Sequence, residues 1–187
     1  MQVAAAQFAK HLQSQAGLRS LYTFHGDEAL LQQEALDALR QAARAQGYTE
    51  RSVFTVAGAH FDWSEVLASG GSMSLFADKQ LLEIRIPSGK PGKEGSVALQ
   101  QIAESAVGND GTMTIVILPR LDKATKSTAW FAALENNGIS VQIDPVERHA
   151  LPAWIAQRLH AQQQRVTEGE AGQNTLQFFA DRVEGNL

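Results

Sequence analysis

Three short stretches of this 187-residue sequence offer glycine beside lysine or at a strand-to-helix turn, and phosphate binding is the chemistry to look for there. A phosphate loop needs Gly-x-x-x-x-Gly-Lys-Ser/Thr between strand and helix, so that backbone N–H groups and a lysine surround the phosphates. Gly26-Asp27-Glu28-Ala29-Leu30-Leu31 has no second glycine and no lysine, and places two carboxylates where phosphates would sit. Gly89-Lys90 is followed by Pro91, Gly92-Lys93 is followed by Glu94, and Lys126-Ser127 has no glycine loop before it. The magnesium-binding acid is also missing, because Ile115-Val116-Ile117-Leu118 runs into Pro119-Arg120. Asp122 reads as a turn residue or helix cap. The layout is that of a nucleotide-binding domain without the nucleotide chemistry, and no cofactor is expected.

Other catalytic patterns are weaker. His11, His25, His60, His149 and His160 show no i, i+4 pair and no metal-ligand spacing, so no metal site is expected. No Gly-x-Ser-x-Gly elbow is present, and Gly70-Gly71-Ser72 has no partner histidine at an informative position. No catalytic residue is assigned. The Ser88–Gly95 loop, with Lys90 and Lys93, could touch phosphate, although such loops are more often simply solvated. Leu75-Phe76 is the sharper signal. It reads either as a helix end tucked into the core or as an anchor presented to a groove on a partner.

The elements that would position these residues alternate. Leu21 to Phe24 reads as a strand, His25-Gly26 as a turn, and Asp27 as the cap of a helix with Leu31, Ala35, Leu39 and Ala42 on one face. Val53 to Val56 is a second strand, and Asp62-Trp63-Ser64-Glu65 resembles a capping box before a short helix. Leu81 to Ile86 is a third strand, whose alternation suggests one partly exposed face. A helix over Val97 to Ala106 follows, carrying Val97, Ile102 and Ala106. Thr112 to Leu118 is the clearest buried strand, Thr125 to Glu135 a helix, and Ile139 to Ile143 a fifth strand. The pattern predicts an α/β fold, a mainly parallel five-stranded sheet with helices on both faces. After Asp144-Pro145 the chain is all helix, from Pro152 and from Ala171 to Val183, which places a domain boundary near residue 145.

Composition narrows the class. Apolar residues make up 44% and charged residues 19%, which excludes a disordered chain. No apolar run approaches the length of a membrane helix, and Met1 to Lys10 lacks the basic and apolar regions of a secretory signal. There is no cysteine, hence no disulfide, thiolate zinc site or cysteine nucleophile. The net charge of −4 argues against a protein whose main affinity is for a phosphate backbone. These features describe a soluble, cytoplasmic globular protein.

Gly26-Asp27-Glu28-Ala29-Leu30-Leu31, Met73-Ser74-Leu75-Phe76-Ala77-Asp78-Lys79-Gln80 and Pro87-Ser88-Gly89-Lys90-Pro91-Gly92 together resemble the delta-subunit family of the bacterial DNA polymerase III clamp loader. Trp130-Phe131, Leu151-Pro152-Ala153-Trp154-Ile155 and Glu184-Gly185-Asn186-Leu187 fit the same family. The resemblance implies an AAA+/RecA-like, P-loop-type first domain over 1–145 and a small, incomplete helical lid over 146–187. A third, collar domain would be absent, making the chain an N-terminal fragment. It implies a clamp-loader subunit in DNA replication that binds the sliding clamp (the beta subunit) through Met73, Ser74, Leu75 and Phe76 and opens one of its interfaces. Motor subunits and delta prime would be further partners through the collar, with DNA touched weakly or indirectly and no membrane contact. No active site of its own is implied; the chain would be part of a DNA-directed DNA polymerase, a nucleotidyltransferase at the level of the complex. The sister subunits' Ser-Arg-Cys motif cannot occur in a chain without cysteine. The alternative is a P-loop-type ATPase or nucleotide-binding protein with a degenerate phosphate loop.

Overall fold

The computed structural model describes residues 1–13, 17–58, 60–71, 79–185 and 187. Strand β1 (Gln2–Ala4) runs straight into helix α1 (Ala5–Gln13). There follow β2 (Leu21–Gly26), α2 (Ala29–Ala45), β3 (Glu50–Thr55), α3 (Trp63–Gly71), β4 (Gln80–Arg85) and α4 (Gly92–Ser105). Next come β5 (Thr112–Leu118), the short α5 (Lys123–Lys126), α6 (Ala129–Asn137) and β6 (Ile139–Ile143). These elements form one compact unit, Met1–Ile143, and Asp144–Leu187 forms a second.

The strands pair in the order β1-β6-β2-β5-β4-β3, all parallel. The sheet has six strands where the sequence predicts five. The additional strand is β1, whose Val3 aligns with Val141 of β6. Only Val3 of its three residues is buried, so it carries no periodicity to read. The terminal ammonium of Met1 donates to the carbonyls of Glu135 and Gly138, both at 3.0 Å, and fixes this edge.

Two cores form because parallel strands must be covered on both faces. On one face Leu21, Leu82, Ile84, Val116 and Leu118 pack under α3, α4 and α6, with Val66, Leu99 and Phe131 fully enclosed. On the other, Tyr22, Phe24, Met113, Ile115 and Val141 pack with Phe8 and with Ala35, Leu36, Leu39 and Ala43. The stripe of α2 is therefore turned slightly from the expected one, since Ala43 rather than Ala42 is buried. Gly95 of α4 lies against the Trp63 ring of α3, where a Cβ would stand 2.5 Å from the indole.

Five further expectations are corrected. Helix α2 starts at Ala29 with Glu28 at its N-cap, so Asp27 does not cap it. Asp27 instead pairs with Arg120 at 3.5 Å. Strand β4 has no partly exposed face in its centre, because Glu83 is wholly buried. The loop after β4 is shorter than Ser88–Gly95, since α4 begins at Gly92, and Val97 points outward at 52% exposure while Ala98, Leu99, Ile102 and Ala103 are buried. The helix expected over 125–135 is two helices, broken at Ser127-Thr128. Asp122 does cap the first of them, accepting from the Thr125 N–H at 2.7 Å.

The second unit holds a 3-10 turn (Arg148–Ala150), α7 (Leu151–Ala161) with Pro152 in its first turn, and α8 (Glu170–Val183). Arg148 bridges to Asp181 at 3.2 Å and Glu184 at 3.3 Å. The Arg158 guanidinium lies 4.4 Å from the Trp154 ring centroid. Among the described residues no helix is long and apolar enough to cross a membrane.

Candidate functional site

The carboxyl edge of a parallel sheet is where α/β proteins usually place a ligand. Here the β2–α2 connection is only Asp27 and Glu28, between Gly26 and Ala29. Gly26 sits so close to β6 that a Cβ would collide with the Ile143 carbonyl. Gln32 donates to the Leu118 carbonyl at 3.3 Å, tying the start of α2 to the end of β5. A two-residue acidic turn cannot wrap a phosphate chain, and the neighbouring β5 end supplies Pro119 and Arg120 rather than a magnesium ligand. Lys90 and Asp122 lie near each other at this edge, and the lysine's positive charge contributes to holding the Asp122 carboxyl below its usual range, after the hydrogen bonds from Thr125.

The histidines are brought to no common point. The buried His25 ring pairs with the Ser140 hydroxyl at 3.2 Å and stands edge-on to Phe131. His11 stacks on Phe8, and His149 lies beside Glu147 at 3.2 Å. Among the described residues no group of three His, Cys, Asp or Glu could hold a metal ion.

The amino edge of the sheet is built differently. Met73, Ser74, Leu75 and Phe76 lie outside the described residues, but both ends of the 72–78 stretch are described. On one side α3 is started by Asp62, which accepts from the Ser64 N–H at 2.8 Å and from its hydroxyl at 2.6 Å. Burial of Trp63 and Val66 then seats the helix on the sheet. On the other side the Gln80 amide donates to the Ser69 carbonyl at 2.8 Å and to the Thr112 hydroxyl at 3.1 Å. Thr112 in turn donates to the Gly70 carbonyl at 3.4 Å. The last turn of α3 and the first residues of β4 and β5 are thus clipped together by polar groups. Lys79 lies over the Tyr48 ring at 5.0 Å, and the Tyr48 hydroxyl donates to the Asp110 carbonyl at 3.0 Å. Beside the clip is a groove of about 320 Å³ lined by Val66, Gly70, Leu82, Ile102 and Thr112 among others, with no acid or base in its wall. Among the described residues the groove itself offers apolar and neutral polar contacts and no group to transfer a proton.

Sequence reasoning missed a charged cluster. The buried Glu83 carboxylate accepts from Arg40 at 2.8 and 2.9 Å and from Arg51 at 2.7 and 2.9 Å. Arg85 approaches it at 3.6 Å, and Asp37 takes a further Arg40 donor at 2.7 Å. Burial pushes the Glu83 pKa upward, but the hydrogen bonds from Arg40 and then Arg51 outweigh it and bring the group down to about 2. The only sequence signal was Glu83 itself, a charge in the middle of an apolar strand.

The family model described as DNA polymerase III, delta subunit, matches residues 22–144. The chain is 34% identical over 171 residues to DNA polymerase III subunit delta of Escherichia coli (strain K12), covering 91% of this chain and 48% of that protein. It is 27% identical over 150 residues to the protein of the same name in Haemophilus influenzae, covering 78% of this chain and 42% of that one. Its fold is similar to that of the Bacillus subtilis DNA clamp loader delta protein, with a TM-score of 0.70, 16% identity, and coverage of 98% and 53% of the two chains. The arrangement is the AAA+-like parallel α/β sheet expected from the sequence, with the sixth strand added. The chain spans about half the length of the curated relatives it matches.

Proposed function

The chain belongs to the DNA polymerase III delta-subunit family, and from that premise we propose that it binds a sliding clamp and holds one interface of the ring open for loading onto primed DNA. In this reading Leu75 and Phe76 are the anchors, and Met73 and Ser74 shape the contact around them. The unit over 1–145 is the AAA+-like domain that carries this wedge, and 146–187 belongs to a helical lid. The motor subunits and delta prime of the loader are the further partners, reached through a collar domain.

The observation that carries the reading is the clip joining Ser69 and Gly70 to Gln80 and Thr112. Burying a leucine and a phenylalanine yields about 3–6 kcal/mol, whereas association costs at least about 4 kcal/mol. Two anchors on a loose tether would not bind. Anchors on a base whose ends are already fixed lose less freedom on docking, and the same burial then suffices. The mechanism is a population shift: a closed interface fluctuates, and a partner that fits only the sprung shape stabilises it by its differential affinity. Nothing in that scheme needs hydrolysis by this chain, which accords with the two-residue acidic turn after β2.

The test is the double variant Leu75→Ala with Phe76→Ala, titrated against the sliding clamp by surface plasmon resonance and melted in parallel. Loss of about 3–6 kcal/mol of contact predicts clamp binding at least about a hundredfold weaker, with the melting temperature nearly unchanged. If instead each substitution destabilises the chain by about 2–5 kcal/mol, the pair is core and the proposal fails. Titration with a labelled ATP tests the alternative, and saturable binding at micromolar nucleotide would favour a degenerate phosphate-loop protein instead.

A further inference from the structure

Strand β3 ends the sheet, and among the described residues no strand pairs with its outer side. The Val56 N–H donates to the Arg85 carbonyl at 2.8 Å. In a parallel ladder the backbone groups alternate in direction along the strand, so the N–H and C=O groups of Arg51, Val53 and Thr55 face outward. Side chains alternate with the same period, and these same residues share a sheet face with Glu83 and Arg85, through the pairings Val53 with Glu83 and Thr55 with Arg85.

That face has an unbalanced charge. Three guanidinium groups, Arg40, Arg51 and Arg85, meet two carboxylates, Glu83 and Asp37, leaving one positive charge in excess. Arg40 is engaged by both acids and is 16% exposed, whereas Arg51 and Arg85 are 42% and 44% exposed. Among the described residues Glu83 is the only carboxylate within ion-pair distance of either. Glu83 holds Arg51 by two hydrogen bonds, so that guanidinium is oriented before any ligand arrives. Between the two arginines Val53 is 43% exposed.

We propose that an extended acidic peptide adds along the outer side of β3 as a seventh strand, its carboxylates meeting Arg51 and Arg85 and an apolar side chain covering Val53. Arg85 lies opposite Thr55 in the ladder and is 44% exposed on this face. An open backbone edge and an apolar centre suit a peptide, since nucleic acid would leave both unused. The surface lies on different residues from the 72–78 segment.

The probe is a fluorescein-labelled, end-capped octapeptide with Asp-Thr-Val-Thr-Asp at its centre, which puts aspartate, valine and aspartate on one face of the added strand, followed by anisotropy with the 187-residue chain. Saturable binding is expected, about tenfold tighter than for the same peptide with asparagine, and weakened as salt rises from about 50 to about 500 mM. Val53→Pro removes an outward N–H and leaves the β4 ladder intact, and it should weaken binding about tenfold. Arg85→Gln should weaken it about fivefold. The proposal is overturned if the peptide does not bind, if the asparagine peptide binds equally well, or if folded Val53→Pro binds like the parent. It is also overturned if a DNA duplex displaces the peptide from the patch. Should Val53→Pro lose its far-UV circular dichroism, Arg85→Gln decides, and unchanged affinity in that variant overturns the proposal.

Discussion

Replacing Glu83 by glutamine isolates the charge at the centre of the α2–β3–β4 cluster. The carboxyl is held at about 2, below its ordinary value of 4.5, by Arg40 and Arg51. At about 1.4 kcal/mol per pH unit, this displacement corresponds to about 3 kcal/mol of folding stability. The sign follows from the depressed folded-state value. The contribution is complete above pH 4.5, where the unfolded chain is also ionised, and is lost as pH falls from 4.5 through about 2. In Glu83→Gln that contribution is gone at every pH, and Arg40 and Arg51 lose their buried carboxylate partner, Arg40 keeping only Asp37. Removing one partner of such a pair costs about 3–5 kcal/mol. Urea titrations followed by the fluorescence of buried Trp63 and Trp130, at several pH values from 7 to about 3, read the difference directly. The gap should be largest at neutral pH and narrow by about 2 kcal/mol by about pH 3. Parallel pH curves, or a neutral-pH gap under about 1 kcal/mol, would refute the assignment of this cluster as a stabilising one.

Two further outcomes follow from the geometry. Gln80→Ala removes the amide that joins Ser69 and Thr112; at about 1 kcal/mol per hydrogen bond, clamp affinity should fall about three- to tenfold in surface plasmon resonance, mainly through faster dissociation. Gly95→Ala drives a methyl group to 2.5 Å from the Trp63 ring, so the melting temperature should drop by several degrees, about 1–3 kcal/mol, and the near-UV dichroism of Trp63 should change.

The sequence was most legible where burial is simple. The unbroken Ile115-Val116-Ile117-Leu118 run marked β5, and the parallel α/β class followed from alternation. It was least legible where a contact is long in sequence and polar in kind. Glu83 looked like the outward residue of an alternating strand because its partners Arg40 and Arg51 lie 43 and 32 positions away. The clip was invisible for the same reason: Ser69, Gln80 and Thr112 belong to three elements, and hydrogen-bonding side chains carry no period. Strand β1 was missed because three residues with one buried side chain give nothing to count. Leu75 and Phe76 stood out by their chemistry, as two large apolar residues beside glycines, but chemistry alone could not tell core from anchor.

The clipped edge has a mechanical consequence. Strand β4 spans six residues, about 20 Å at about 3.3 Å per residue, between the clip at its amino end and the acidic turn region at the sheet's carboxyl edge. Side chains at the two edges are too far apart to touch, and the strands between them are covered on both faces. A displacement imposed at one edge would therefore have to be carried to the other by the packed strands themselves and not by side-chain contacts between the edges.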